Sequence, residues 1–238
     1  MTKTPHIIDS TLRDGEQAPG VVFTLDEKLR IAALLEDCGV KEVEVGTPAM
    51  GEGEVRMIRE IVNSGFRFDK LCWARAKEFD IEESAKTGAN RINISFSVSD
   101  IQLSAMGRNT DWVMKQIQPM IAFARQRFDF VAIGAQDASR ANRDFLNEFI
   151  AACLAERVDR IRLTDTVGIL NPFSTAQFFS SVSEKFPFVD FEFHGHNDLG
   201  MATANSVSAL LSGAQSVSAT INWANVPEMP VWKKWPQP

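Results

Sequence analysis

Residues 160–194 read RIRLTDTVGILNPFSTAQFFSSVSEKFPFVDFEFH, and the order of patterns in this stretch decides the fold. Two short β-rich runs, Arg160–Thr164 and Asp190–His194, bracket a segment of helical period, Ser174–Lys185. Asn171-Pro172 has the chemistry of a helix entrance, because an Asn side chain caps free N–H groups and proline fits the first turn. A strand, a helix and a second strand in so short a span form one βαβ unit with parallel strands.

The same alternation extends over the whole chain. Strand candidates begin near Ile7–Ser10, Glu42–Gly46, Lys70–Ala74, Arg91–Phe96, Phe130–Gly134, Arg160–Thr164, Asp190–His194 and Ser216–Ile221, with room for a helix between each pair. Leu25–Cys38 places Leu29, Ala32, Ala33 and Cys38 on one stripe, Thr24 and Glu27 have the spacing of a capping box, and Gly39 supplies a stop. Asp144–Glu156 is a further helix. Eight strand-helix units predict an α/β TIM (β/α)8 barrel. A doubly wound open sheet is the runner-up, but no glycine fingerprint opening a helix follows the first strand. Gly51 and Gly53 precede no Lys-Ser or Lys-Thr, so they read as a loop and not as a phosphate cradle.

Of the 238 residues, 45% are hydrophobic and 24% charged, the balance of one globular domain. A net charge of -6 without a basic stripe argues against a nucleic-acid surface. There is no membrane-length apolar run and no secretory pattern at the N-terminus, so a cytoplasmic location is expected. Cys38, Cys72 and Cys153 have no paired spacing and are expected to be buried free thiols.

In a TIM barrel the chemistry gathers at the C-terminal ends of the strands. Three polar clusters fall there: DSTLRDGEQ (Asp9–Gln17), RLTDTVGILNP (Arg162–Pro172) and EFHGHND (Glu192–Asp198). Alternation along a strand puts Glu192, His194 and His196 on one face, directed into the barrel. Two imidazoles so placed are a natural pair of metal ligands, and Asp14 on a nearby strand end can complete a mixed nitrogen and oxygen set. Taken alone, the first cluster reads equally well as a solvated turn, and the hydroxyls of the second as helix-entry chemistry.

Together, TLRDGEQ, EVGTPAMG, DASR, DTVG and HGHND occur in order and each at a strand end. Over residues 6 to about 222 the chain thereby resembles the DRE-type TIM-barrel metallolyases, in the branch of the homocitrate and isopropylmalate synthases. EVGTPAMG with SVSD at strand four is most similar to the homocitrate synthases associated with nitrogen fixation. The resemblance implies a divalent cofactor (Mg, Mn or Zn) held by Asp14, His194 and His196, and a catalytic Arg13 that stabilises the enolate oxygen. Gln17, Glu44, Arg75 and Thr166 fall where the family contacts a 2-oxo acid, and Glu192, on the histidine strand, is the second catalytic candidate. The partners implied are acetyl-CoA and a 2-oxo dicarboxylic acid, condensed with water to homocitrate and CoA, with a homodimer as the state of a full-length parent. Isopropylmalate or citramalate synthesis is the alternative with the same chemistry; a remnant that binds metal and 2-oxo acid without turnover is the alternative from another class. The chain departs from the family at Gln136, where relatives carry Glu, and at Gln102 and Met106, where they often carry His and Lys.

After Asn222 the family pattern stops, and WANVPEMPVWKKWPQP follows with neither helical nor strand period. Read from the last base of the Asn222 codon, the tail is compatible with the family's Leu-Gly-Glu-Arg-Ala-Gly-Asn-Ala segment. The expectation is a catalytic domain over 1–222, then a frame-shifted tail over 223–238 in place of the last helix and the family's C-terminal region. A chain so ended is expected to bind better than it turns over.

Overall fold

A computed structural model describes residues 5–221. The expected aberrant tail, and any helix following the last strand, lie outside the described residues. Eight strands are present: β1 (His6–Asp9), β2 (Glu42–Gly46), β3 (Asp69–Arg75), β4 (Arg91–Ser97), β5 (Phe130–Gln136), β6 (Arg160–Asp165), β7 (Phe191–Gly195) and β8 (Ser216–Ala219). All neighbours pair in parallel, and β1 pairs with both β2 and β8, so the sheet closes into a TIM barrel. The connecting helices are α1 (Leu25–Asp37), α2 (Glu52–Asn63), α3 (Glu78–Ala85), α4 (Asp100–Ala105), α5 (Thr110–Arg125), α6 (Arg143–Ala155), α7 (Pro172–Lys185) and α8 (Ala202–Leu211), with α4 and α5 sharing the β4–β5 connection. No helix among the described residues is long and apolar enough to cross a membrane.

The apolar core lies between barrel and helices. Ile92, Ile94, Val131, Ile133, Ile161, Leu163, Phe191 and Phe193 on the strands belong to one buried cluster with Ile117, Phe149 and Phe178 of the helices. Inward residues of β2, β6 and β7 carry charge. Glu42 and Glu44 on β2 accept from Arg160 and Arg162 on β6. In an eight-stranded barrel these two strands stand opposite each other, so both bonds cross the lumen. Barrel interiors are ordinarily filled by branched aliphatic side chains. Here a stack of ion pairs takes their place.

Local expectations hold at the helix entrances. Thr24 and Glu27 form a reciprocal capping box at α1, and Asn171 with Ser174 does so at α7, where Pro172 is the first residue. The predicted stripe on α1 needs correction: Ile31, Ala32 and Leu35 are buried with Lys28, whereas Ala33 is exposed. The helix turns this way because the Lys28 ammonium is drawn inward between Glu16 and Glu54. Cys38 is exposed, contrary to expectation, because it caps the outward end of that helix; Cys72 and Cys153 are buried and free. Burial pushes the Cys72 thiol up to about 12, which keeps it protonated and inert.

Candidate active site at the mouth of the barrel

The chain leaves β1 through a tight turn in which the Ser10 carbonyl accepts the N–H groups of Arg13, Asp14 and Gly15 at 3.2, 2.8 and 3.1 Å. The Asp9 carboxylate secures that turn by accepting from the Thr11 N–H and hydroxyl at 2.9 and 3.0 Å. Arg13 and Asp14 are thereby directed over the barrel mouth. Arg13 Nη1 donates to Asp14 Oδ1 at 2.7 Å, while its Nε and Nη2 both reach Glu44 Oε2 at 2.7 Å. One guanidinium thus joins the metal-ligand candidate to the ion stack below it.

The other Asp14 oxygen, Oδ2, is buried without a hydrogen-bond partner. It faces Nε2 of His194 at 3.6 Å and Nε2 of His196 at 4.0 Å. One donor atom from each of Asp14, His194 and His196 can be chosen so that all lie within 4.8 Å of one another. Burial, reinforced by the positive charges of Arg162 and Arg13 and by His196, holds His194 well below the ordinary imidazole range, so it stays neutral with a lone pair to give. An unpartnered carboxylate oxygen beside a neutral imidazole is the donor chemistry a divalent cation needs. The residues fit such an ion.

Gly195 lets the histidine segment take this path, since a Cβ there would come within 2.4 Å of the Phe193 ring. Gly168, at φ +57°, lets the β6–α7 loop pass against Asp198 in the same way. The Asp165 carboxylate ties that loop down by accepting from Ile169 and Leu170 at 3.2 and 2.9 Å.

A cavity of about 200 Å3 opens among these groups. Six of the sequence-predicted residues line it: Arg13, Asp14, Gln17, Thr166, His194 and His196. The other three do not. Glu44 lies beneath Arg13 with both oxygens engaged, one by Ser10 and Arg13 and the other by Arg162 at 2.8 Å. Burial opposes its charge, but Arg13, Arg162 and the Ser10 hydroxyl prevail and hold the carboxyl at about 2. Glu192 sits in the ion stack, hydrogen-bonded by the Ser218 hydroxyl and 2.7 Å from Arg162 Nε. Arg75 turns away at the end of β3 and grips the buried Asp80 carboxylate at 2.6 and 3.0 Å. Four lining residues escaped the sequence reading: Trp73, whose ring lies 5.5 Å from the Arg13 guanidinium, and Asn93, Ser95 and Arg162. Their signal was the two-residue period on β3, β4 and β6, which places each on the lumen side.

Residues 4–223 match the family model described as HMGL-like. The chain belongs to the HMGL-like family. Among curated relatives, homocitrate synthase 1 of Nostoc sp. is 43% identical over 216 residues, which are 90% of this chain and 57% of that protein. 2-Isopropylmalate synthase 2 of Caldanaerobacter subterraneus is 38% identical over 221 residues, 92% of this chain and 57% of its own length. The chain therefore spans somewhat more than half the length of these two relatives. Among solved structures, HMG-CoA lyase of Bacillus subtilis superposes with a TM-score of 0.81 at 16% identity, covering 92% of this chain and 77% of that one. The carboxyl transferase domain of Rhizobium etli pyruvate carboxylase gives 0.78 at 14% identity, over 98% of this chain and 42% of that one. At such identities the structures speak for the fold alone. Both of these curated relatives are synthases, one of homocitrate and one of 2-isopropylmalate.

Proposed function

We propose that this chain carries the catalytic barrel of a homocitrate synthase, condensing acetyl-CoA with 2-oxoglutarate. The observation that supports it best is the convergence of Asp14, His194 and His196 beside Arg13 over a cavity sized for a small acid. A divalent ion held there supplies Lewis-acid polarisation of a 2-oxo acid's carbonyl. Thr166 offers a hydroxyl at the cavity wall while accepting the Asp137 N–H at 2.9 Å, so its proton is free for a substrate carboxylate. Gln17 contributes an amide from the β1 loop. Arg13, fixed by Glu44 and Asp14, presents a permanent positive charge to the oxygen of the acetyl thioester as its methyl group loses a proton. In this reading Glu44, Glu192 and Arg75 support the site without touching substrate.

Residues 1–222 are proposed as the catalytic domain and 223–238 as a frame-shifted tail, which the nucleotide sequence around codon 222 would decide. Isopropylmalate synthesis is the second reading, favoured by the similarity to the Caldanaerobacter enzyme. Thiol release from acetyl-CoA, measured with 2-oxoglutarate, 2-oxoisovalerate and pyruvate in parallel, tests the proposal. Release fastest with 2-oxoglutarate is expected; a preference for 2-oxoisovalerate or pyruvate reassigns the acceptor. Metal and 2-oxo acid binding without thiol release from any of the three would identify a non-catalytic remnant.

A further inference from the structure

The cavity floor carries hydrogen-bonding capacity that no neighbour uses. Nη2 of Arg162 and both amide atoms of Asn93 are buried without a hydrogen-bond partner, and both residues line the cavity. Of the other Arg162 nitrogens, Nη1 donates to Glu44 at 2.8 Å, while Nε is ion-paired with Glu192 at 2.7 Å without making a hydrogen bond.

The backbone leaves space for these groups. Gly134 on β5 stands in register between Ser95 of β4 and Arg162 of β6. A Cβ at Gly134 would come within 3.2 Å of Asn93 Nδ2. The missing side chain opens the lumen wall between the amide and the guanidinium. Along β6 and β7, Arg162 pairs with Glu192 and Thr164 with His194, so the base of Arg162 lies one inward layer below the histidine. One such layer is two residues of strand, about 7 Å, the reach of a short dicarboxylic acid.

Arg13, Arg160 and Arg162 meet Glu42, Glu44 and Glu192 in the stack, Arg91 adds a further cation 3.3 Å from Glu42, and Asp14 is set apart toward the histidines. Leaving a buried donor without a hydrogen bond is costly, and more so where the group is charged. A carboxylate would accept from Nη2 of Arg162 and from Asn93 Nδ2, whereas a branched aliphatic end would strand both donors against methyl groups.

We propose that Arg162 and Asn93 form the subsite for the distal carboxylate of a short 2-oxo dicarboxylic acid and select it over branched 2-oxo acids, an inference that rests on the condensing-enzyme reading above. Arg162 enters as a specificity-determining residue. The test is calorimetric titration of 2-oxoglutarate and of 2-oxoisovalerate into the full chain with saturating Mg2+, for the unmodified protein, Arg162→Lys and Asn93→Leu. Arg162→Lys keeps a cation between Glu44 and Glu192 but loses the fork. Asn93→Leu alters no charge and supplies an independent variant, and thermal melts establish which variants are folded. Each folded variant is expected to bind 2-oxoglutarate about ten- to hundred-fold more weakly, with 2-oxoisovalerate changed less than about threefold. Unchanged 2-oxoglutarate affinity in a folded variant, or an equal loss for both acids, would overturn the subsite. Tighter binding of 2-oxoisovalerate by the unmodified protein would also overturn it while leaving the condensing reading standing. Binding of neither acid would remove both.

Discussion

Glu42 and Glu192 are buried in the same lumen, yet their environments push them in opposite directions. Burial raises both. At Glu42 this is outweighed by a hydrogen bond from His6 and by Arg160 and Arg91, which hold the carboxyl at about 2 against an ordinary 4.5. At Glu192 burial prevails over Arg162, Arg160 and the Ser218 hydroxyl, and Glu44 adds repulsion, so the carboxyl is raised. A carboxyl whose pKa is lower folded than unfolded stabilises the fold above its unfolded value and loses that contribution as pH falls through the folded value. For Glu42 the window runs from pH 4.5 down to about 2. Urea midpoints measured from pH 7 to pH 2.5 should fall steeply in that window for the unmodified protein. Glu42→Gln should start lower at pH 7, because Arg160 loses its partner, and fall less; parallel curves would show that Glu42 is not a stabilising anion. At this scale the sequence was legible where motifs mark strand ends, as at Asp14, His194 and His196. It was silent where a side chain matters only after closure: Arg162 opens the DTVG stretch, but nothing local says that it meets Glu44 across the barrel.

The β1–α1 connection shows how elements position the site. The 3-10 turn at Gly15–Gln17 carries Gln17 to the cavity, and its Glu16 is gripped at 2.7 Å by the fully buried Lys28 of α1, which also holds Glu54 of α2 at 3.0 Å. One ammonium therefore locks a functional loop to two helices. Lys28→Met would leave Glu16 and Glu54 facing each other without a cation, a change of the kind that costs about 3–5 kcal/mol for a buried pair. The expected result is a lower thermal midpoint together with weaker 2-oxo acid binding through the displaced loop. A midpoint within a degree or so of the unmodified protein would mean that the triad is incidental. Periodicity located α1 and its capping box, because both are local. It misjudged the buried face, since a hydropathy stripe excludes a lysine whose burial depends on two carboxylates from other elements.

Over the whole molecule, alternation of strand and helix patterns was sufficient to predict the closed barrel, because eight parallel strands with helical crossovers have few ways to bury both faces. Strand positions largely came through with it: β2 spans the expected Glu42–Gly46, and β8 begins at the expected Ser216 but ends at Ala219, two residues short of the expected Ile221. The polar lumen was hidden, because the residues that fill it are far apart in sequence and neutralise one another only across the barrel. That stack runs from Glu42 through Arg160, Glu192, Arg162 and Glu44 to Arg13, and Arg13 hands it on to Asp14. A divalent ion held by Asp14, His194 and His196 would sit at the upper end of this chain of charges, and Mn2+ binding followed by electron paramagnetic resonance tests that directly. The full chain should bind one Mn2+ per polypeptide, and a His194→Ala, His196→Ala double variant that melts as the parent does should leave the ion free in solution. Equal Mn2+ binding by the two proteins would contradict the assignment of Asp14, His194 and His196 as its ligands.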